Sequence, residues 1–125
     1  MKDLPGNVSD NLHFLIAEVV SQLEDLQRFF KTRAVSRAQR ILDRRGYSEN
    51  LMLRIQNGCI QEISEADEQH IPRLRAVQSV AADLDRITEL ARDAINQMSH
   101  IENCSFIKSK SHVTILKQVS AGVLL

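Results

Sequence analysis

Three carboxylates, Asp85, Glu89 and Asp93, stand four residues apart within RLRAVQSVAADLDRITELARDAINQM, residues 73–98. On a helix this spacing puts them on one face. Like charges at i and i+4 repel by roughly 0.2–0.5 kcal/mol per pair, so a ladder of three asks for a compensating positive charge. A cation is one answer. Carboxylates one turn apart can both reach a single ion, and Fe, Zn, Mn and Mg accept oxygen ligands. Basic side chains are the other, with Arg86, Arg92 or arginines elsewhere in the chain meeting the acids across a solvated face. If the ladder is unpaired, replacing Asp85 by Asn and Glu89 by Gln should stabilise a metal-free fold.

The helix that carries these acids is written plainly. Val77, Val80, Ala81, Leu84, Ile87, Ala91, Ala94, Ile95 and Met98 recur at helical spacing and form a stripe to be buried. Pro72 suits the first turn of this helix, which is expected over about Ile71 to Ile101. A first helix, Ser9 to about Lys31, has the stripe Leu12, Leu15, Ile16, Val19, Leu23, Leu26 and Phe30, and Asn7 or Ser9 can cap it. A second runs from about Ala34 to Glu65, with Ala38, Ile41, Leu42, Leu51, Ile55, Cys59, Ile60 and Ile63 in rhythm. Arg45-Gly46-Tyr47-Ser48 interrupts it, and Gly inside a helix is unfavourable by ~1 kcal/mol relative to Ala. A kink or split is expected there, and Gly58 is a second weak point.

The expected fold is therefore all-α: an antiparallel three-helix bundle over residues 9–102, after an N-terminal loop over 1–8. Residues 103–125 form an irregular tail or the start of a further element. The tail ends on Val123-Leu124-Leu125, unusual for an exposed terminus, so a fragment of something longer is one reading.

Composition agrees with a small helical protein. The chain has 125 residues, 43% hydrophobic and 4% aromatic, with no Trp, four Gly and two Pro. That is enough for one domain with a core packed from aliphatic residues. The formal net charge is zero, which argues against generic nucleic-acid binding. Cys59 and Cys104 lack CxxC spacing, and MKDLPGNVSDN has no apolar signal region, so a reduced, cytoplasmic setting is expected. No apolar run approaches ~18 residues, so membrane association would be peripheral at most. Nothing here resembles a GxSxG elbow, an activated cysteine or a glycine-rich phosphate loop, so no catalysis is expected. His13, His70, His100 and His112 are scattered without ligand spacing.

Charge is unevenly placed. Arg28, Lys31, Arg33, Arg37, Arg40, Arg44 and Arg45 are accompanied by one acid, Asp43, whereas Glu62 to Glu102 holds nine acids and four Lys or Arg. Arg33, Arg37, Arg40 and Arg44 fall on one helical face and could receive an acidic partner or a phosphate, or pair with the acids of the third helix. If the second and third helices turn near Asp67, facing residues have numbers totalling about 135. This brings Asp43 near Arg92, Tyr47 near Thr88 and Glu89, and Asn50 near Asp85. One level of the bundle then gathers Asp43, Tyr47, Glu49, Asn50, Asp85, Glu89 and Asp93.

Two segments resemble the PhoU family: AADLDRITELARDAI, residues 81–95, and RAQRILDRRGYSENLMLRIQ, residues 37–56. The first is similar to the family's third-helix pattern, an acidic residue followed four positions later by another, which falls on Asp85 and Glu89 with Arg86-Ile87 between them. The second is similar to its second-helix region, with Asp43, Glu49 and Asn50 as the matching polar residues. Glu89 stands where the family usually has Asp, Thr88 where Gly is common, and Tyr47 follows Asp43 where a carboxylate is usual. The resemblance covers about Leu12 to Met98, one three-helix unit where members usually hold two. It implies a regulatory adaptor between a phosphate transporter and a sensor kinase, or a domain attached to a transporter, in some members with Fe or Zn on the acidic motif. For this chain it implies metal ligands on Asp85 and Glu89, with Asp43, Glu49 and Asn50 as candidates on the second helix; the ladder spacing adds Asp93 as a ligand, and the facing arithmetic sets Tyr47 behind them. The alternative is a metal-free structural or oligomerisation bundle, one lobe of a larger protein; a homo-oligomer fits either.

Overall fold

The computed structural model describes residues 4–103. They form four helices: α1 Gly6–Thr32, α2 Val35–Asp43, α3 Tyr47–Glu65 and α4 Ile71–Asn103. No strand occurs among the described residues, and no helix there is long and apolar enough to cross a membrane. The expected tail over 103–125 lies outside the described residues beyond Asn103.

The helix expected over 34–65 is divided into α2 and α3 at the interruption where the sequence predicts a kink or split. Gly46 is the cause. It has φ +92°, a left-handed conformation that glycine reaches without a Cβ penalty, and it sits at the N-cap of α3. There its carbonyl accepts the first α3 bond, from the Asn50 N–H, at 2.9 Å. The first helix also begins earlier than its capping signals indicate. The Ser9 N–H donates to the Pro5 carbonyl at 2.9 Å, so Gly6 to Val8 are already helical and neither Asn7 nor Ser9 is the cap.

At the end of α1, Arg33 takes φ +58°, uncommon for a residue with a side chain. Its N–H closes on the Phe29 carbonyl at 2.8 Å, and its guanidinium lies 6.0 Å from the centre of the Phe29 ring, within cation–π range. Thr32 braces the same turn: its hydroxyl donates to the Arg28 carbonyl at 2.8 Å and accepts from the Ala34 N–H at 3.2 Å. Two residues thus suffice to join α1 to α2.

The described residues divide into two compact units. One holds those up to Val20 with Arg45–Thr88, the other Ser21–Arg44 with those from Glu89 onward. In the first unit Val8, Leu12, Leu15, Val19, Leu51, Ile55, Cys59, Leu74 and Ala81 are buried. In the second, Leu26, Phe29, Phe30, Ala38, Ile41, Ala91, Ile95 and Met98 form one apolar cluster, joined by Leu42 and Ala94.

The buried stripes run in steps of three and four residues, close to the repeat of helices that wrap on one another. On α1 this phase selects Val8, Leu12, Leu15, Val19, Gln22, Leu26 and Phe29, so Gln22 is buried and Ile16 is not. The same selection leaves Ile60 and Val80 exposed, against the simpler helical reading of their stripes.

α3 runs unbroken through Gly58, which lets α1 approach. A Cβ added there would lie 2.7 Å from Val8 Cγ2 and 3.1 Å from Asn7 Nδ2, and Val8 is fully buried with a stiff, β-branched side chain. Gly58→Ala should therefore lower stability by about 1–3 kcal/mol through overpacking, outweighing the ~1 kcal/mol helix-propensity gain. In a Val8→Ala background the same change should become neutral or stabilising. Denaturant midpoints of the four proteins read this reversal directly.

Candidate functional site

The carboxylate ladder is not one exposed row. Asp85 is buried, 6% exposed, whereas Glu89 and Asp93 are exposed. Asp85 lies beside the stripe position of Leu84, and Thr88, 1% exposed, occupies the stripe itself. The stripe of α4 therefore carries a polar step.

Ser48 meets that step. Gly46 starts α3 so that Ser48, its second residue, turns inward and is fully buried, while Tyr47, Glu49 and Asn50 remain exposed. The Ser48 hydroxyl donates to Asp85 Oδ1 at 3.0 Å and lies 2.8 Å from the Thr88 hydroxyl. The Thr88 hydroxyl donates to the Asp85 backbone carbonyl at 2.6 Å, which leaves its oxygen free to accept from Ser48. One serine proton is thus shared between two acceptors. Further along, Gln56 Nε2 donates to the Gln78 carbonyl at 2.9 Å, so later residues of α3 meet earlier residues of α4.

The facing arithmetic placed Tyr47 and Asn50 opposite Thr88 and Asp85; the residue that meets both is Ser48, between them. Its signal was its position, two residues after the interrupting glycine. Of the remaining acids at the expected level, Asp43 accepts from Gln39 Nε2 on its own helix at 2.6 Å. Asp43, Glu89 and Asp93 belong to the second unit, Asp85, Tyr47, Glu49 and Asn50 to the first. Among the described residues no three His, Cys, Asp or Glu side chains group so as to hold a metal ion. This includes the cleft of ≈ 240 Å³ at the turn between α3 and α4, lined by Glu62, Glu65, Asp67, His70 and Arg73.

The arginine face is partly engaged within the second unit. Arg37 Nη1 lies 3.0 Å from Asp25 Oδ1 and Arg40 Nε 3.5 Å from Asp25 Oδ2. Asp25 is on α1 and 6% exposed, so these two arginines meet an acid of the first helix rather than those of α4. A buried carboxylate is strongly unfavourable without partners and tolerable with two charge-assisted ones. Asp25 lies on the inner side of α1 beside Leu26. Arg33 covers Phe29, and Arg44 is exposed.

Cys59 is fully buried on α3, and burial pushes its thiol above the ordinary value. A buried thiol held protonated is a packing group rather than a nucleophile.

Compared with models of protein families, with curated proteins and with solved structures, the chain matches none.

Because Asp85 is hydrogen-bonded inside the first unit, the acids of α4 should separate in their effect on stability. Asp85→Ala leaves Ser48 and Thr88 buried beside a small void and should lower stability by about 1–3 kcal/mol. Asp93→Ala, on an exposed position, should stay within about 0.5 kcal/mol of the parent. Equal effects in thermal or urea unfolding would show that the ladder behaves as one face.

Proposed function

We propose that the chain is a non-catalytic helical adaptor, a PhoU-like module acting by protein contact in cytoplasmic phosphate transport or phosphate-responsive signalling. The carrying observation is the inward turn of Asp85 onto Ser48. The acidic residue that the resemblance places at the centre of a metal motif is here part of the packing between α3 and α4, and this favours a metal-free form of the module. The pairing of Ser48 with Asp85 and Thr88, and of Gln56 with Gln78, supports an antiparallel hairpin of α3 and α4. Polar outer faces remain for contact with a transporter subunit or sensor kinase. On the arginine face, Arg40 is 59% exposed at its side chain.

Two measurements test the reading. A strain lacking the chain should lose the repression of phosphate uptake that abundant phosphate imposes; unchanged uptake would overturn the phosphate assignment. Elemental analysis of the purified protein for Fe, Zn and Mn, with melting curves before and after chelation, should find no stoichiometric metal and no shift. A bound metal whose removal lowers the melting temperature would overturn the metal-free form and return the ligand role to Asp85, Glu89, Asp93 and Asp43.

A further inference from the structure

The turn from α1 into α2 carries one sign of charge. From Leu26 to Leu42 the chain holds Arg28, Lys31, Arg33, Arg37 and Arg40 and no acid. Arg28 and Lys31 are exposed, and Arg40 keeps most of its side chain in solvent beside Asp25. Asp25 faces these bases from the inner side of α1, and Arg37 and Arg40 already meet it. The next acid back along the chain, Glu24, is exposed one turn before Arg28. The backbone adds to the charge. α2 begins with no acid in its first turn and no side-chain cap, so its first N–H groups bring the positive end of a helix dipole to the same turn. The turn between α3 and α4 is the reverse, with Glu62, Glu65, Asp67 and Glu68 and no base among them. The chain is neutral as a whole, so its attraction for an anionic surface depends on which turn meets it.

Val35 distinguishes the kinds of anionic surface. It is 76% exposed, the most exposed large apolar side chain among the described residues, and it opens α2 between Arg33 and Arg37. Lys31, Thr32, Val35 and Ser36 are all exposed around a two-residue link, so this end of the two helices is convex. Bases on a convex tip diverge. They suit anions spread over a plane better than a single carboxylate or a groove. A protruding valine gains free energy only where apolar material lies just beneath those anions. A bilayer with anionic headgroups supplies both.

We propose that the α1–α2 turn docks on an anionic bilayer surface, with Arg28, Lys31 and Arg40 among the headgroups and Val35 entering the interface. With so few bases and one aliphatic side chain, the contact is peripheral and reversible. It does not rest on the phosphate reading, and purified chain with vesicles tests it separately.

The experiment is cosedimentation of the full 125-residue chain with vesicles of phosphatidylcholine, alone or mixed with phosphatidylglycerol. Circular dichroism confirms that each variant keeps its helices. The parent should bind the mixed vesicles and not the neutral ones. Salt at ~1 M, where the screening length shortens to ~3 Å, should release it. Arg28→Gln with Lys31→Gln should weaken binding at least about tenfold, at roughly fivefold per base. Val35→Ser should weaken it about threefold or more. Arg73→Gln with Arg75→Gln, an equal loss of charge in the first unit, should leave it unchanged. A parent that ignores the mixed vesicles, or binds the neutral ones equally well, overturns the proposal. So does a loss as large from the Arg73 and Arg75 changes as from those at Arg28 and Lys31. Binding indifferent to Val35→Ser and displaced by soluble polyglutamate overturns the bilayer in favour of an acidic protein segment.

Discussion

A carboxylate withdrawn from water must be given hydrogen-bond donors, or it destabilises the structure that buries it. Each compact unit of this protein accepts that constraint once where the donors are known. In the first, Asp85 is met by the Ser48 hydroxyl, itself tied to Thr88. In the second, Asp25 is met by Arg37 and Arg40. Aliphatic side chains supply the bulk of the burial, but they are indifferent to small slips of one helix along another. A buried polar contact is not indifferent, because a slip strands the acid without its donor. These contacts therefore fix how α3 sits on α4 in one unit and how α2 sits on α1 in the other.

The local geometry serves the same constraint. Gly46, in the left-handed region, starts α3 with Ser48 facing inward. Arg33, also left-handed, closes α1 over Phe29 and returns the chain within two residues, so that Arg37 and Arg40 lie along the acid of the preceding helix. The two residues at positive φ are thus the two places from which the polar contacts are aimed.

Much of this was legible in the residues. The periodicity marked out the helices and the short link between Lys31 and Ala34, Pro72 and Gly46 marked the other two connections, and the facing numbers around Asp67 placed Ser48's neighbourhood on Asp85 and Thr88. What escaped was phase. A plain helical stripe admits Ile16, Ile60 and Val80; the three-and-four repeat of mutually wrapped helices excludes them and takes in Gln22 and Asp85 instead. Charge spacing misled for a related reason. Asp85, Glu89 and Asp93 share a face on paper, but that face turns gradually out of the interior along α4, so only the first is buried. Asp25 was hidden because its partners lie across a turn whose tightness depends on an arginine at positive φ, for which no residue-type signal exists.

The account turns on Ser48 and Asp85 acting as a pair, and a double-mutant cycle measures that. Unfolding free energies of the parent, Ser48→Ala, Asp85→Ala and the double variant should show coupling of at least about 0.5 kcal/mol, the double change being less harmful than the two single changes summed. Additive effects would contradict it: Asp85 would then be an acid that the fold merely tolerates, and the positioning of α3 on α4 would have to come from apolar packing alone.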